Sequence, residues 1–274
     1  MNLGLAILKI CGITLKELFQ DDTKKEEIFG TKMKGIKKFP LLIKFIDAKD
    51  NLSVQVHPDD EYAKKYENDT GKTEMWYVID CKENAKIICG MKDNVKQEEI
   101  ENIVRNGNIR DYLKEVPIHK GDIIYIPAGT LHAILGGTLI CEIQQNSNLT
   151  YRVYDWDRVG KDGKSRELHI EKAIEVIKQN NKNQIININQ QKSNISENRI
   201  SCDYFKVDSI DIDTKYIATS NLETFEAFMV VKGQGFIKAE DKEYPIKIGD
   251  SFIIPANFGK YEIKGNIQLL KAYM

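Results

Sequence analysis

Residues 51–56 alternate strictly. Leu52, Val54 and Val56 face one way, while Ser53, Gln55 and His57 face the other, the period-two pattern of a half-buried strand. Pro58 stops that strand because it cannot donate to a ladder. The apolar run 39–46 (FPLLIKFI) reads as another strand, as do 73–79, 85–89, 122–126 and 139–143. Helical spacing marks other stretches. Residues 14–29 open on Thr14, a possible cap, and read as helix and turn. Residues 59–66 read as a short helix. Residues 94–116 carry Ile100, Ile103, Val104 and Leu113 at helical intervals and look inserted between strands. Residues 167–178 place Ile170, Ile174 and Ile177 on one helical face, and 179–198, rich in Asn and Gln, read as a solvated linker with a strand (IININ) inside it. From Ile200 onward short strands are broken by glycines, which indicates a second all-β body.

One motif is written twice. Gly121-Asp-Ile-Ile-Tyr-Ile-Pro127-Ala-Gly129-Thr-Leu-His132 is answered by Gly249-Asp-Ser-Phe-Ile-Ile-Pro255-Ala-Asn257-Phe-Gly-Lys260. Both are a turn feeding an apolar strand that ends at proline. The second copy has Asn257 and Lys260 where the first has Gly129 and His132, and residues 200–274 contain no histidine. A lysine ammonium has no lone pair, so the second body is expected to be structural and metal-free.

The polar residues on the strands carry the candidate chemistry. Gln55 and His57 lie two apart on a strand, on one face and roughly 6.6–6.8 Å apart along it. Lys72 and Glu74 share a face in GKTEMWYVID, and His132 follows the Pro-Ala-Gly turn, where Gly129 permits the backbone geometry that aims the next side chains. Taken alone, His57 reads as a strand-end residue and the Lys72–Glu74 pair as a salt-bridged strand edge. Together, Gln55, His57, Glu74 and His132 supply a mixed N/O set suited to a divalent metal, zinc among others. After His132, the run 144–150 is too polar for a core and suits a wall for a hydroxyl-rich anion, with Glu142 and Gln144 on one strand face and Arg152 beyond. Arginine best matches phosphate or a developing oxyanion. His119 reads as a turn residue and His169 as a helix start at the surface.

Composition narrows the classes. With 274 residues, 42% of them hydrophobic, the chain can build two domains with real cores. A net charge of −1 gives no electrostatic case for nucleic acid or an anionic membrane. Five cysteines without a C-x2-C pair fit reduced thiols in a cytoplasmic protein. The opening 1–15 reads as strand or loop entering a helix, lacking the basic leader and cleavage site of a signal peptide, and no apolar run is long enough to cross a membrane.

The spacing G-x5-P-x-G-x2-H resembles the second signature motif of the cupins. VQVHPDDEYA, GKTEMWYVID, IPAGTLHAI and CEIQQNSNLTYRVYDWDR followed by SRELHIEKAIEVI closely resemble the type I mannose-6-phosphate isomerases of the short bacterial kind. The resemblance runs from about Thr14 to the C-terminus and is strongest over 41–177. It implies a mainly β fold of two cupin-like β-barrels, or jelly rolls, with the helical insertion 94–116 in the first. Domains are expected at 1–180 (metal-binding) and 200–274 (metal-free), with a linker at 181–199. The family implies one zinc ion per chain on Gln55, His57, Glu74 and His132, with Arg152 in the active site and Lys72 and Glu142 lining its pocket. It also implies the interconversion of mannose 6-phosphate and fructose 6-phosphate through an enediol. Either Glu142 or a residue near Lys72 serves as the base. Family members begin with a W-G-G-like leading segment and further strands that this sequence is expected to lack. The alternative is therefore a weakened or inactive cupin that binds a sugar phosphate. An iron dioxygenase is disfavoured, because those enzymes carry H-x-H where this chain has Gln55-x-His57.

Overall fold

The structure, a computed structural model, describes residues 14–160, 162–179, 184–187, 191–239 and 242–274. The opening read as strand or loop falls mostly in residues 1–13, outside them. Thr14 caps α1 (Leu15–Gln20): its hydroxyl oxygen accepts the Glu17 N–H, and the Glu17 carboxylate accepts the Thr14 N–H at 2.7 Å. After α2 (Asp22–Phe29), Gly30 turns the chain at φ +95°, where a Cβ would lie 2.4 Å from the Glu223 backbone. Only glycine fits. Beside this turn, Phe29 stands edge-on to Phe19, Phe39 and Phe225 at centroid distances of 5.2, 5.7 and 5.9 Å.

The chain divides into two compact units. Residues 41–188 form one, and the described residues of 1–40 and 189–274 form the other. The N-terminal helices thus group with the C-terminal strands, whereas the sequence boundary near 180 joined them to the metal-binding part. The reason is non-local: Phe29 meets Phe225, and the Phe225 N–H donates to the Phe29 carbonyl at 3.0 Å.

The first unit has two antiparallel sheets. Its strands are β1 (Leu41–Ala48), β2 (Val54–Val56), β3 (Glu74–Cys81), β4 (Lys86–Met91), β5 (Leu113–Pro117), β6 (Asp122–Ile126), β7 (His132–Ile134), β8 (Thr138–Gln145), β9 (Tyr151–Tyr154) and β10 (Gln184–Asn187). One sheet runs β1-β8-β3-β6-β10, and the other runs β5-β4-β7-β2-β9. Trp76, Val78, Ile124, Ile126 and Ile140 of the first share a core with Ile87, Cys89 and Ile134 of the second. This is a jelly-roll-like sandwich; among the described residues both sheets keep edge strands, so neither closes into the expected barrel. The alternation of β2 now has a cause. Val54 and Val56 turn to an outer core with α4 (Ile100–Arg105) and α5 (Ile170–Val176), leaving Gln55 on the face between the sheets.

Within 94–116, α4 and two 3-10 turns are helical, but Leu113–Pro117 is a strand paired with β4. Gly107, at φ +73°, interrupts the helical course, and Leu113 reaches the same core from β5. The linker contributes a strand. Its strand β10 adds to the edge of β6.

The second unit is a seven-stranded antiparallel sheet of β11 (Ser196–Ser201), β12 (Lys206–Ile212), β13 (Lys215–Thr219), β14 (Glu226–Ala239), β15 (Lys242–Lys247), β16 (Ser251–Ile254) and β17 (Lys260–Tyr273). β14 and β17 are long enough to serve several partners each. β17 pairs with β12, β13 and β14, and β14 pairs with β15, β16 and β17. No helix among the described residues is long and apolar enough to cross a membrane.

Candidate metal centre

Three segments converge at one end of the sandwich. β3 carries Glu74, Trp76 and Val78 on the face turned to the opposite sheet. The turn after β6 delivers His132 at the start of β7. Gly129 adopts φ +90° there, and its N–H donates to the His57 carbonyl at 2.8 Å, tying the two histidine-bearing segments together. Ligand atoms of His57, Glu74 and His132 all lie within 4.8 Å of one another. His57 and Glu74 are 1% and 0% exposed, and His132 is 0%.

These side chains are oriented for a cation. His132 Nδ1 lies 2.8 Å from the Thr130 carbonyl oxygen. A carbonyl only accepts, so Nδ1 holds the proton and Nε2 keeps its lone pair. His132 Nε2 is 3.7 Å from Glu74 Oε2. His57 Nε2 and Lys72 Nζ are 3.1 and 3.0 Å from Glu74 Oε1, near enough for attraction but outside hydrogen-bond geometry. Four buried atoms of this cluster have no hydrogen-bond partner: His57 Nδ1 and Nε2, Glu74 Oε1 and His132 Nε2. Stranding such groups costs about 1–3 kcal/mol each. A divalent ion would satisfy several of them at once, and two imidazoles with a carboxylate are a fitting donor set.

The electrostatics favour the same protonation states. Burial, then Lys72, pushes the His57 pKa down to about 3, and burial lowers that of His132. Both rings are therefore neutral near pH 7, as a metal ligand must be. Burial alone would raise the Glu74 pKa, but Lys72, His57 and His132 hold it well below the usual carboxylate range.

The register brings in two further residues. Gln55 pairs with His132 across β2 and β7 and with Arg152 across β2 and β9, so the three form a row on one face. Arg152 donates from Nη1 to the Glu167 carbonyl at 2.7 Å, and its buried Nε has no partner. Its backbone N–H donates to His169 Nδ1 at 3.2 Å, and its carbonyl accepts the His169 N–H at 2.8 Å. The adjacent Asp155 is occupied by Arg158 and Arg166. Among the described residues, Arg152 has no carboxylate at salt-bridge distance.

Glu142 lies across the β3–β8 ladder from Trp76. The Trp76 Nε1–H donates to both carboxylates, 3.2 Å to Glu74 Oε2 and 3.1 Å to Glu142 Oε2. Burial, then the Glu74 charge, raises the Glu142 pKa against the pull of Lys72 and Lys44. Lys44 is the residue the sequence reading missed. Its Nζ sits 2.6 Å from both Glu142 Oε1 and Gln144 Oε1. The available signal was a lone lysine on the Leu42–Lys44–Ile46 face of an otherwise apolar strand. The polar run after Glu142 is largely spent on itself. Gln144 Nε2 donates to the Gln145 and Ser147 carbonyls, and Gln145 Oε1 accepts the Thr73 N–H. His119 is exposed, 3.5 Å from Asp122.

Comparisons with known proteins point to one family. A model of the catalytic domain of type I phosphomannose isomerase matches residues 9–93, and one of the cupin domain of mannose-6-phosphate isomerase matches residues 195–274. A Bacillus subtilis protein named a probable mannose-6-phosphate isomerase, GmuF, is 41% identical over 264 residues, covering 95% of this chain and 82% of its own. The mannose-6-phosphate isomerase ManA of the same organism is 37% identical, with 96% and 82% covered. A crystal structure of the mannose 6-phosphate isomerase from Bacillus subtilis is similar at a TM-score of 0.84 and 38% identity, over 96% of this chain and 82% of that one.

Proposed function

Because the chain belongs to the type I phosphomannose isomerases, we propose that it interconverts mannose 6-phosphate and fructose 6-phosphate by proton transfer in a pocket where His57, Glu74 and His132, with Gln55 beside them, would hold a metal. The observation that carries this reading is the cluster of partnerless buried donors beside a carboxyl group of raised proton affinity. Zinc fits the donor set, at one ion per chain. When bound, the ion supplies Lewis acidity and orientation for the sugar oxygens.

The chain's own residues do the rest. In the open sugar the proton leaves C2 and returns to C1, while the hydroxyl hydrogen of O2 is replaced by one on O1. Glu142 is the base in this reading. A raised pKa brings a carboxylate closer to the working pH, where it can both take and return a proton. Lys44 and Trp76 fix its two oxygens. Lys72 sits beside Glu74 and supplies positive charge to the same pocket. Arg152, with a buried donor to spare, meets the negative charge of the enediolate or the phosphate.

Isotope exchange separates this route from a direct hydride shift. Turnover in deuterium oxide should place solvent deuterium on C1 of the fructose 6-phosphate, read by mass spectrometry. Complete retention of the C2 hydrogen in the product, together with full turnover by a folded, metal-loaded Glu142→Gln variant, would contradict proton transfer through an enediol on Glu142.

A further inference from the structure

The duplicated motif extends to a buried charge cluster. The sheet order β1-β8-β3-β6 of the first unit recurs as β12-β17-β14-β16 in the second. The match holds bond for bond. The Gly121 N–H donates to the Val78 carbonyl, and the Gly249 N–H donates to that of Val230. Asp122 accepts the His119 N–H at 2.7 Å, and Asp250 accepts the Lys247 N–H at 2.8 Å.

Register then equates side chains. Glu74 pairs with Ile126, the residue before Pro127; Glu226 pairs with Ile254, the residue before Pro255. So Glu226 occupies the position of Glu74. Two residues on, Trp76 pairs with Glu142, and Phe228 pairs with Lys271. Glu142 in turn pairs with Lys44, and Lys271 with Asp208. The cation therefore stands where the first unit has Glu142, and an acid stands where it has Lys44.

These residues are buried together. Glu226 and Lys271 are each 8% exposed, and Asp208 is 5%. Lys271 Nζ lies 3.1 Å from Asp208 Oδ2 and 3.4 Å from Glu226 Oε1. The Tyr261 hydroxyl donates to Glu226 Oε2 at 2.7 Å, as His132 faces Glu74 in the first unit. The inward position falls one residue after Lys260, which is exposed. The remaining ligand positions are blank: following the β13–β17 register from Tyr261, Gln55 corresponds to Ala218 and His57 to Ser220.

We infer that Lys271 is the resident cation of the second unit, its ammonium neutralising the buried Glu226 that corresponds to the metal-facing Glu74. Burial would drive the proton off Lys271, but Tyr216, Asp208 and Glu226 outweigh it, so the ammonium persists. Asp208 also accepts from Ser196, Asn198 and Tyr273. Glu226 has Tyr261 and Lys271, so it is the group stranded when the ammonium is removed.

The test uses the full chain with chelator present throughout, so that a metal in the first unit does not move the transition. Lys271→Met should lower the thermal unfolding temperature by roughly 10 °C, the scale of a broken buried pair. Adding Glu226→Gln should recover most of that loss, because the stranded charge is gone while an amide oxygen still accepts from Tyr261. A soluble double variant would support the assignment even if the single variant failed to fold. Lys271→Met unfolding with the parent, or a double variant that is less stable than the single one or fails to fold beside it, would overturn it.

Discussion

His132→Ala should lose nearly all bound metal, and isomerase turnover should fall to background. Both effects follow from one atom. His132 Nε2 is a neutral nitrogen with its lone pair aimed into a fully buried cluster, and its ring is held there by the Nδ1–H bond to Thr130. Removing the ring deletes one of the two imidazoles in the His57, Glu74 and His132 cluster, and what is left with Gln55 is a much weaker donor set for zinc. Metal analysis by plasma emission after dialysis is the readout, with circular dichroism as a check on folding. Stoichiometric metal in the folded variant would remove His132 from the ligand set.

Arg152→Ala should separate catalysis from metal binding. Its guanidinium donates to the Glu167 carbonyl, and Arg152 stands beyond Gln55 in the row across β7, β2 and β9, outside the His57, Glu74 and His132 cluster. The variant should therefore retain the parent's metal content. Turnover should fall by about 10²-fold or more, the usual cost of losing a preorganised charge-stabilising donor. Arg152→Lys should recover little, because an ammonium cannot reproduce the planar fork. A folded, metal-loaded Arg152→Ala protein turning over at the parent rate would reduce Arg152 to a brace for the segment around Glu167.

The site was legible where local chemistry carried it. His132 stands out through the Pro-Ala-Gly turn, whereas Gln55 and His57, which alone read as a strand end, become candidates only when taken together with Glu74 and His132. What was not legible depends on register. Lys44 sits in a run that reads as plain apolar strand, and its role appears only when the β1–β8 ladder sets it opposite Glu142. Trp76 looks like core, and is core, but its indole N–H bridges two carboxylates from neighbouring strands. The Glu226–Lys271 pair joins residues 45 positions apart in sequence and surfaces only through β14 and β17. The fold follows the same division. The Thr14 cap and the many short strands are local and were foreseen, and the reciprocal bond with Glu17 completes that cap. Leu113 fits either period, so the tail of the insertion read as helix although it is a strand. The placement of α1 and α2 rests on Phe29 meeting Phe225, a contact no local pattern encodes.

The proposed isomerase depends on a metal at His57, Glu74 and His132. The most direct measurement is conversion of mannose 6-phosphate to fructose 6-phosphate by the purified chain in a coupled assay, stripped with chelator and then titrated with zinc. The predicted result is negligible turnover when stripped, restored in proportion to added zinc and saturating near one ion per chain. Undiminished turnover in the rigorously stripped protein, or none in the folded protein carrying one zinc, would contradict it.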